Sequence, residues 1–124
     1  MNNKFALKII NWNISWVNKP EAKAEYIREM VSGAPFVVIL QEVKNYAYEF
    51  LKHSLGDIAN IEYSLAYRAP GKYDTDSRKL GIAILVSKDF NITNAQVLDR
   101  ALLPDRTLLV DIARGDLSLR VLGL

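Results

Sequence analysis

With 124 residues, 50% of them hydrophobic, and a formal charge of +2, the chain has the material for one domain with a sizeable core. Its mild basic excess does not by itself mark a nucleic-acid surface, which needs Lys and Arg gathered on one face. Without cysteine it has no disulfide framework, thiolate nucleophile or Cys-based zinc site, so any metal must be held by oxygen or imidazole.

The N-terminus MNNKFALKII is too short and too charged for a secretory leader. No stretch approaches the roughly 20 apolar residues of a membrane span, and the expectation is a cytoplasmic soluble protein. Leu7 to Trp12 reads as a strand ending at Asn13. Pro20 to Ser32 reads as a helix: Pro suits its first turn, Ala22, Tyr26, Ile27, Met30 and Val31 recur at helical spacing, and Gly33 with Pro35 stops it.

Phe36 to Val43, FVVILQEV, is a second strand-like run, ending in Gln41 and Glu42. Strand, helix, strand makes a parallel βαβ unit, and open α/β sheets take ligands outside the carboxyl ends of their strands. Asn13, Gln41 and Glu42 are thereby expected at one edge. Val43, Tyr46, Ala47, Phe50, Leu51 and Leu55 form a second helical stripe closed by Gly56. Beyond it the period changes to two, and Glu62–Tyr67, Gly81–Val86, Asn91–Leu98, Arg106–Ile112 and Leu117–Leu122 read as short strands. Short connections favour antiparallel pairing, so the sheet is expected to be mixed. Arg68 to Leu80 is a long polar loop, and LSLRVLGL ends in apolar residues that a layered fold must cover.

Together LKIINWNISW, VVILQEV, KLGIAILVSKDF, RTLLVDI and LSLRVLGL resemble the endonuclease/exonuclease/phosphatase superfamily, the DNase I-like group, over its N-terminal half. The resemblance implies an α+β fold, a mixed β-sheet with helices on one face, and one half of a four-layered αββα sandwich, so that residues 1–124 form a single partial domain. It also implies a Mg²⁺- or Mn²⁺-dependent phosphoesterase in which Glu42 ligates the metal and Asn13 shares the catalytic and metal site. Arg106 resembles an Arg that approaches substrate phosphate. The family's catalytic His, its Asp-x-Asn pair and its final Asp-His pair are expected beyond Leu124, which leaves the 124 residues inactive by themselves. A phosphate-containing substrate is implied, with nucleic acid preferred to phospholipid or inositol phosphate. Several members place a Tyr just before the Gly of the GIAIL strand; this chain has SRKLGIAIL, with Tyr73 as a substitute.

Blander roles compete. Glu42 could be a carboxylate at a helix N-terminus and Asn13 a turn residue. His53, the sole histidine, is expected to face solvent on the second helix, away from Glu42. Asp74 and Asp76 suit a solvated loop, and Arg114-Gly115-Asp116 a hairpin turn. The competing function is a noncatalytic interaction module that self-associates through an exposed sheet face and ignores Mg²⁺.

Overall fold

Strand β1 (Lys8–Asn13) lies parallel to β2 (Phe36–Val43), with Asn13 opposite Gln41, in a computed structural model that describes residues 6–14, 19–33, 35–67, 80–98 and 106–124. Helix α1 (Pro20–Val31) makes the crossover, with Pro20 in its first turn and Ala24, Ile27 and Val31 buried. Helix α2 (Asn45–Leu55) buries Ala47, Leu51 and Leu55 at the same spacing. Strands β3 (Ala59–Tyr63) and β4 (Gly81–Ser87) complete a mixed sheet of order β1-β2-β4-β3, in which β4 runs antiparallel to both neighbours. The expected mixed sheet with helices on one face is present.

The remaining strands form a sheet of their own. β5 (Asn91–Gln96), β6 (Leu108–Arg114) and β7 (Leu117–Gly123) make an antiparallel meander, with the β6–β7 turn at the Arg114-Gly115-Asp116 segment. Two apolar clusters bind the layers. Val38, Leu40, Val43, Ala83 and Leu85 face α1 and α2, whereas Val37, Ile82, Ile84 and Val86 face Leu108, Val110 and Ile112 of the second sheet. The order is helices, sheet, sheet, and β4 is buried along its whole length because it is covered on both faces.

This arrangement corrects several boundaries. Val43 closes β2 instead of opening the second helix. The strand expected over Glu62–Tyr67 is displaced to Ala59–Tyr63, because Ser64–Tyr67 turns into a 3₁₀ segment whose Ser64 hydroxyl accepts from the Ile82 N–H at 2.8 Å. LSLRVLGL has its cover: Leu117, Leu119 and Val121 pack inward on the first sheet, while Ser118 and Arg120 face out. On that outer face Arg120 clasps Asp111, with Nε 2.8 Å from Oδ1, and holds its carboxyl below the usual carboxylate range. The polar loop expected over Arg68–Leu80 lies outside the described residues except for Leu80.

Cations close both helices at one end of the molecule. Lys8 Nζ donates to the carbonyls of Met30 (3.0 Å) and Ser32 (3.2 Å) beyond α1. Arg28 donates to the Ser54 carbonyl of α2 at 2.7 Å and to both oxygens of Asp57 at 2.9 and 3.0 Å. The hydrogen bond from Arg28 holds the Asp57 carboxyl below its ordinary pKa. The pair therefore stabilises the fold fully above the unfolded Asp value of about 3.9 and loses its effect as pH falls through the lowered folded value. Both groups are solvent-exposed, so the effect is small. Denaturant midpoints at pH 7 and pH 3 should drop less for Asp57→Asn than for the unaltered chain.

Candidate active site at the carboxyl ends of β1 and β2

The β2–β4 ladder breaks where β2 ends. Leu40 is opposite Ala83 and Val43 opposite Gly81, so Gln41 and Glu42 share the interval that Ile82 spans alone. One extra residue in a strand is a β-bulge, and it resets which face each following side chain takes. Val43 accordingly joins Leu40 on the helix-facing cluster, a place that unbroken alternation would have given to Glu42. The backbone of Glu42 is left-handed, with φ +56°. For a non-glycine residue this conformation is costly, and such residues concentrate at functional sites.

The carboxylate of Glu42 is half-buried, and among the described residues no hydrogen bond or ion pair engages it. Asn13, exposed at the end of β1, is in register with Gln41 and so presents the same face of the sheet. The Ile14 N–H donates to the Gln41 carbonyl at 3.2 Å, which extends the parallel ladder past Asn13. The side-chain amide of Gln41 donates to Asn11 Oδ1. Sequence reasoning passed over Asn11; its alternation with Asn13 on one face of β1 was the available signal.

The second sheet leans onto the same end. Gly123, at the end of β7, has no room for a side chain: a Cβ would come within 2.7 Å of Ile82 Cγ2 and 3.1 Å of Ile39 Cγ2. It pairs with Leu108, so the start of β6, with exposed Arg106 just before it, belongs to the end of the sandwich that carries Glu42. At the carboxyl end of β3, Tyr67 donates to the Glu62 carboxylate. Part burial, and then that hydrogen bond, push the Tyr67 hydroxyl up to about 12, so it remains a donor at neutral pH.

Not every candidate converges on this end. His53 is exposed in the last turn of α2, remote from the start of that helix beside Glu42. Tyr73, Asp74 and Asp76 lie outside the described residues. Two open clefts, one bordered by Arg28, Ser32, Asp57 and Asp89 and the other by Lys52, Asn60, Glu62 and Asn91, include neither Asn13 nor Glu42.

The donors at the β1–β2 edge are a carboxylate and amides, a hard-oxygen set. Mg²⁺ suits it, since that ion takes one or two carboxylates and keeps several water ligands. Among the described residues no group of three or more His, Cys, Asp or Glu could hold a metal entirely by protein side chains. The set therefore fits a loosely held hard cation and does not fit a closed structural metal site.

Comparison with protein-family models and with curated protein sequences finds no match. Solved structures do match the fold. TDP2 from Caenorhabditis elegans superimposes with a TM-score of 0.67 at 20% identity over 92% of the chain, which corresponds to 33% of that protein. D. rerio TDP2 complexed with single strand DNA product gives 0.65 at 15% identity, covering 94% of this chain and 44% of that one. ANGEL2, a 2',3'-cyclic phosphatase in complex with adenosine-2',3'-vanadate, gives 0.64 at 18% identity, covering 97% and 41%. TDP2 and ANGEL2 belong to the endonuclease/exonuclease/phosphatase superfamily. The chain carries part of the endonuclease/exonuclease/phosphatase fold. It spans 33% to 44% of the length of these structures. The likeness to TDP2 covers 92% of this chain, whose described layers are the four-stranded sheet with its two helices and the facing three-stranded sheet.

Proposed function

We propose that the chain is part of a Mg²⁺- or Mn²⁺-dependent phosphoesterase that hydrolyses phosphodiester bonds of nucleic acid, with Glu42 as its metal ligand. The observation that carries this reading is the left-handed backbone of Glu42 in a bulge at the carboxyl end of β2, beside Asn13. A carboxylate fixed in a costly conformation, half-buried and not engaged by another described residue, is poised for a cation. The likeness in fold to TDP2, solved with a single strand DNA product, and to ANGEL2, solved with an adenosine vanadate, favours a nucleic-acid phosphate over a phospholipid or inositol phosphate.

Glu42 and the amide oxygen of Asn13 would hold the ion. When bound, the ion would supply charge stabilisation to the phosphate oxygens. The side chains themselves do the remainder. Asn13 orients the phosphate by hydrogen bonding, and Gln41, tied to Asn11, keeps the end of β1 in register with β2. The Arg106 guanidinium, just before β6 at the same end of the sandwich, binds phosphate oxygen as a fixed, always-charged fork. In-line displacement also needs a group that takes the proton of the attacking water and another that serves the leaving oxygen. Among the described residues no group of three or more His, Cys, Asp or Glu forms around Glu42, and on this reading the 124 residues bind metal and phosphate with little turnover.

The test is Mn²⁺ titration followed by paramagnetic broadening of backbone amides. Broadening should centre on Asn13, Gln41 and Glu42 and vanish in Glu42→Gln; uniform broadening unaffected by that substitution sinks the metal assignment. Robust Mg²⁺-dependent phosphodiester hydrolysis by the chain, lost in Glu42→Ala, would keep the metal and overturn the low turnover. Arg106→Ala should weaken binding of a short single-stranded DNA about 10-fold, the order expected for one charge-assisted hydrogen bond, and leave the Mn²⁺ response unchanged. Equal weakening of both, measured in parallel titrations, would remove Arg106 from the phosphate role.

A further inference from the structure

The costly backbone of Glu42 must be held by something, and the holder is on another strand. Tyr63, 2% exposed at the end of β3, donates its hydroxyl to the carbonyl of Val43 at 2.6 Å. Val43 is the residue that follows Glu42 and closes the bulge. Since β4 lies between β3 and β2, the phenol must cross a strand to reach that carbonyl.

Gly81 makes the crossing possible. A Cβ at that position would lie 2.8 Å from Tyr63 Cε1, and also 2.7 Å from Ser64 Oγ. The ring is also steadied by Tyr48 of α2, stacked at a centroid distance of 4.4 Å and an interplanar angle of 19°. A rigid aromatic arm, a glycine beneath it and a fixed carbonyl at its tip thus converge one residue beyond the carboxylate.

We infer that Tyr63, passing over Gly81, is the positioning residue that holds Glu42 in its left-handed, cation-ready conformation. The inference deepens the reading of Glu42 as a metal ligand and rests on it for its function. The physical reason is that rotation about the Glu42 backbone must carry the Val43 carbonyl with it, and a buried hydrogen bond on that carbonyl resists the rotation. Outer partners of metal ligands typically govern affinity by about 10–100-fold.

The experiment compares Tyr63→Phe, Gly81→Ala and, as a control in the same corner, Ser64→Ala, which loses the bond to the Ile82 N–H without touching Val43. Two quantities are read by NMR on the 124-residue chain. The first, without metal, is the φ of Glu42 from its HN–Hα coupling and its carbon shifts; the second is Mn²⁺ affinity from broadening of the Glu42 amide. Tyr63→Phe and Gly81→Ala should move Glu42 out of the left-handed region and weaken Mn²⁺ about 10-fold or more, whereas Ser64→Ala should change neither. A folded Tyr63→Phe chain with both readings unaltered overturns the inference. So does a Ser64→Ala chain that behaves like Tyr63→Phe, because packing alone would then explain the effect. A Tyr63→Phe chain that does not fold also overturns it, since the hydroxyl would be serving the core and not the bulge. If the unaltered chain shows no Mn²⁺ broadening at Glu42, the metal reading falls, and the φ comparison still decides the role of Tyr63.

Discussion

Glu42→Gly should raise the stability of the fold by about 0.5–1 kcal/mol and at the same time abolish its response to divalent cations. An L-residue in the left-handed region costs roughly 1–2 kcal/mol, which glycine does not incur. Glycine gives back part of that gain, about 0.5–1 kcal/mol, through the greater freedom of the unfolded chain. The net effect corresponds to a rise of roughly 2–6 °C in melting temperature for a domain of this size. Glu42→Gln separates the two effects. It retains the strained backbone and the volume of the side chain while losing the charge, so its melting temperature should not rise although its Mn²⁺ response is lost. Calorimetry of both variants without metal provides the check. A clear fall in melting temperature for Glu42→Gly would mean that the φ of +56° at this position is not a source of strain.

Ile84→Ala should cost about 2–5 kcal/mol, the range for removing a buried Ile from a packed interior. Ile84 is fully buried at the centre of the apolar contact between the sheets, opposite Leu108, Val110 and Ile112. Its neighbour Leu85 faces α1 and α2 instead, and Leu85→Ala should cost a similar amount. The consequences differ in place. In Ile84→Ala the amides of β5, β6 and β7 should lose hydrogen-exchange protection before those of β1 and β2, and binding of single-stranded DNA through Arg106 should weaken while Mn²⁺ broadening at Glu42 persists. In Leu85→Ala the loss of protection should begin in the helices. Urea denaturation gives the magnitudes, and exchange rates residue by residue give the order; uniform loss across both sheets in Ile84→Ala would show that the layers do not loosen separately.

The first half of the site was legible because its geometry follows from periodicity. An apolar run ending at Asn13, a helix with Pro20 in its first turn and another apolar run ending at Gln41 and Glu42 admit a parallel pairing, and the pairing brings those residues to one edge. Residues whose roles depend on strands distant in sequence were not legible. No local pattern told that β5, β6 and β7 leave the first sheet to make a second, or that Ser64 ends β3 by bonding to β4. A glutamate gives no sign that its backbone is left-handed, in contrast to a glycine or asparagine. Tyr63 reads only as an aromatic in a strand until its reach across Gly81 to Val43 is seen.

Both crossovers in this chain begin at the strand ends that carry Asn13 and Glu42, so α1 and α2 point their amino termini toward those residues and their carboxyl termini toward Lys8 and Arg28. Each helix carries about half a positive charge at its amino end, and the cations at the far end compensate the negative ends. A phosphate group that reaches the Asn13 and Glu42 end meets two half-positive helix ends, an attraction confined to about the first turn of each helix and weakened as ionic strength rises.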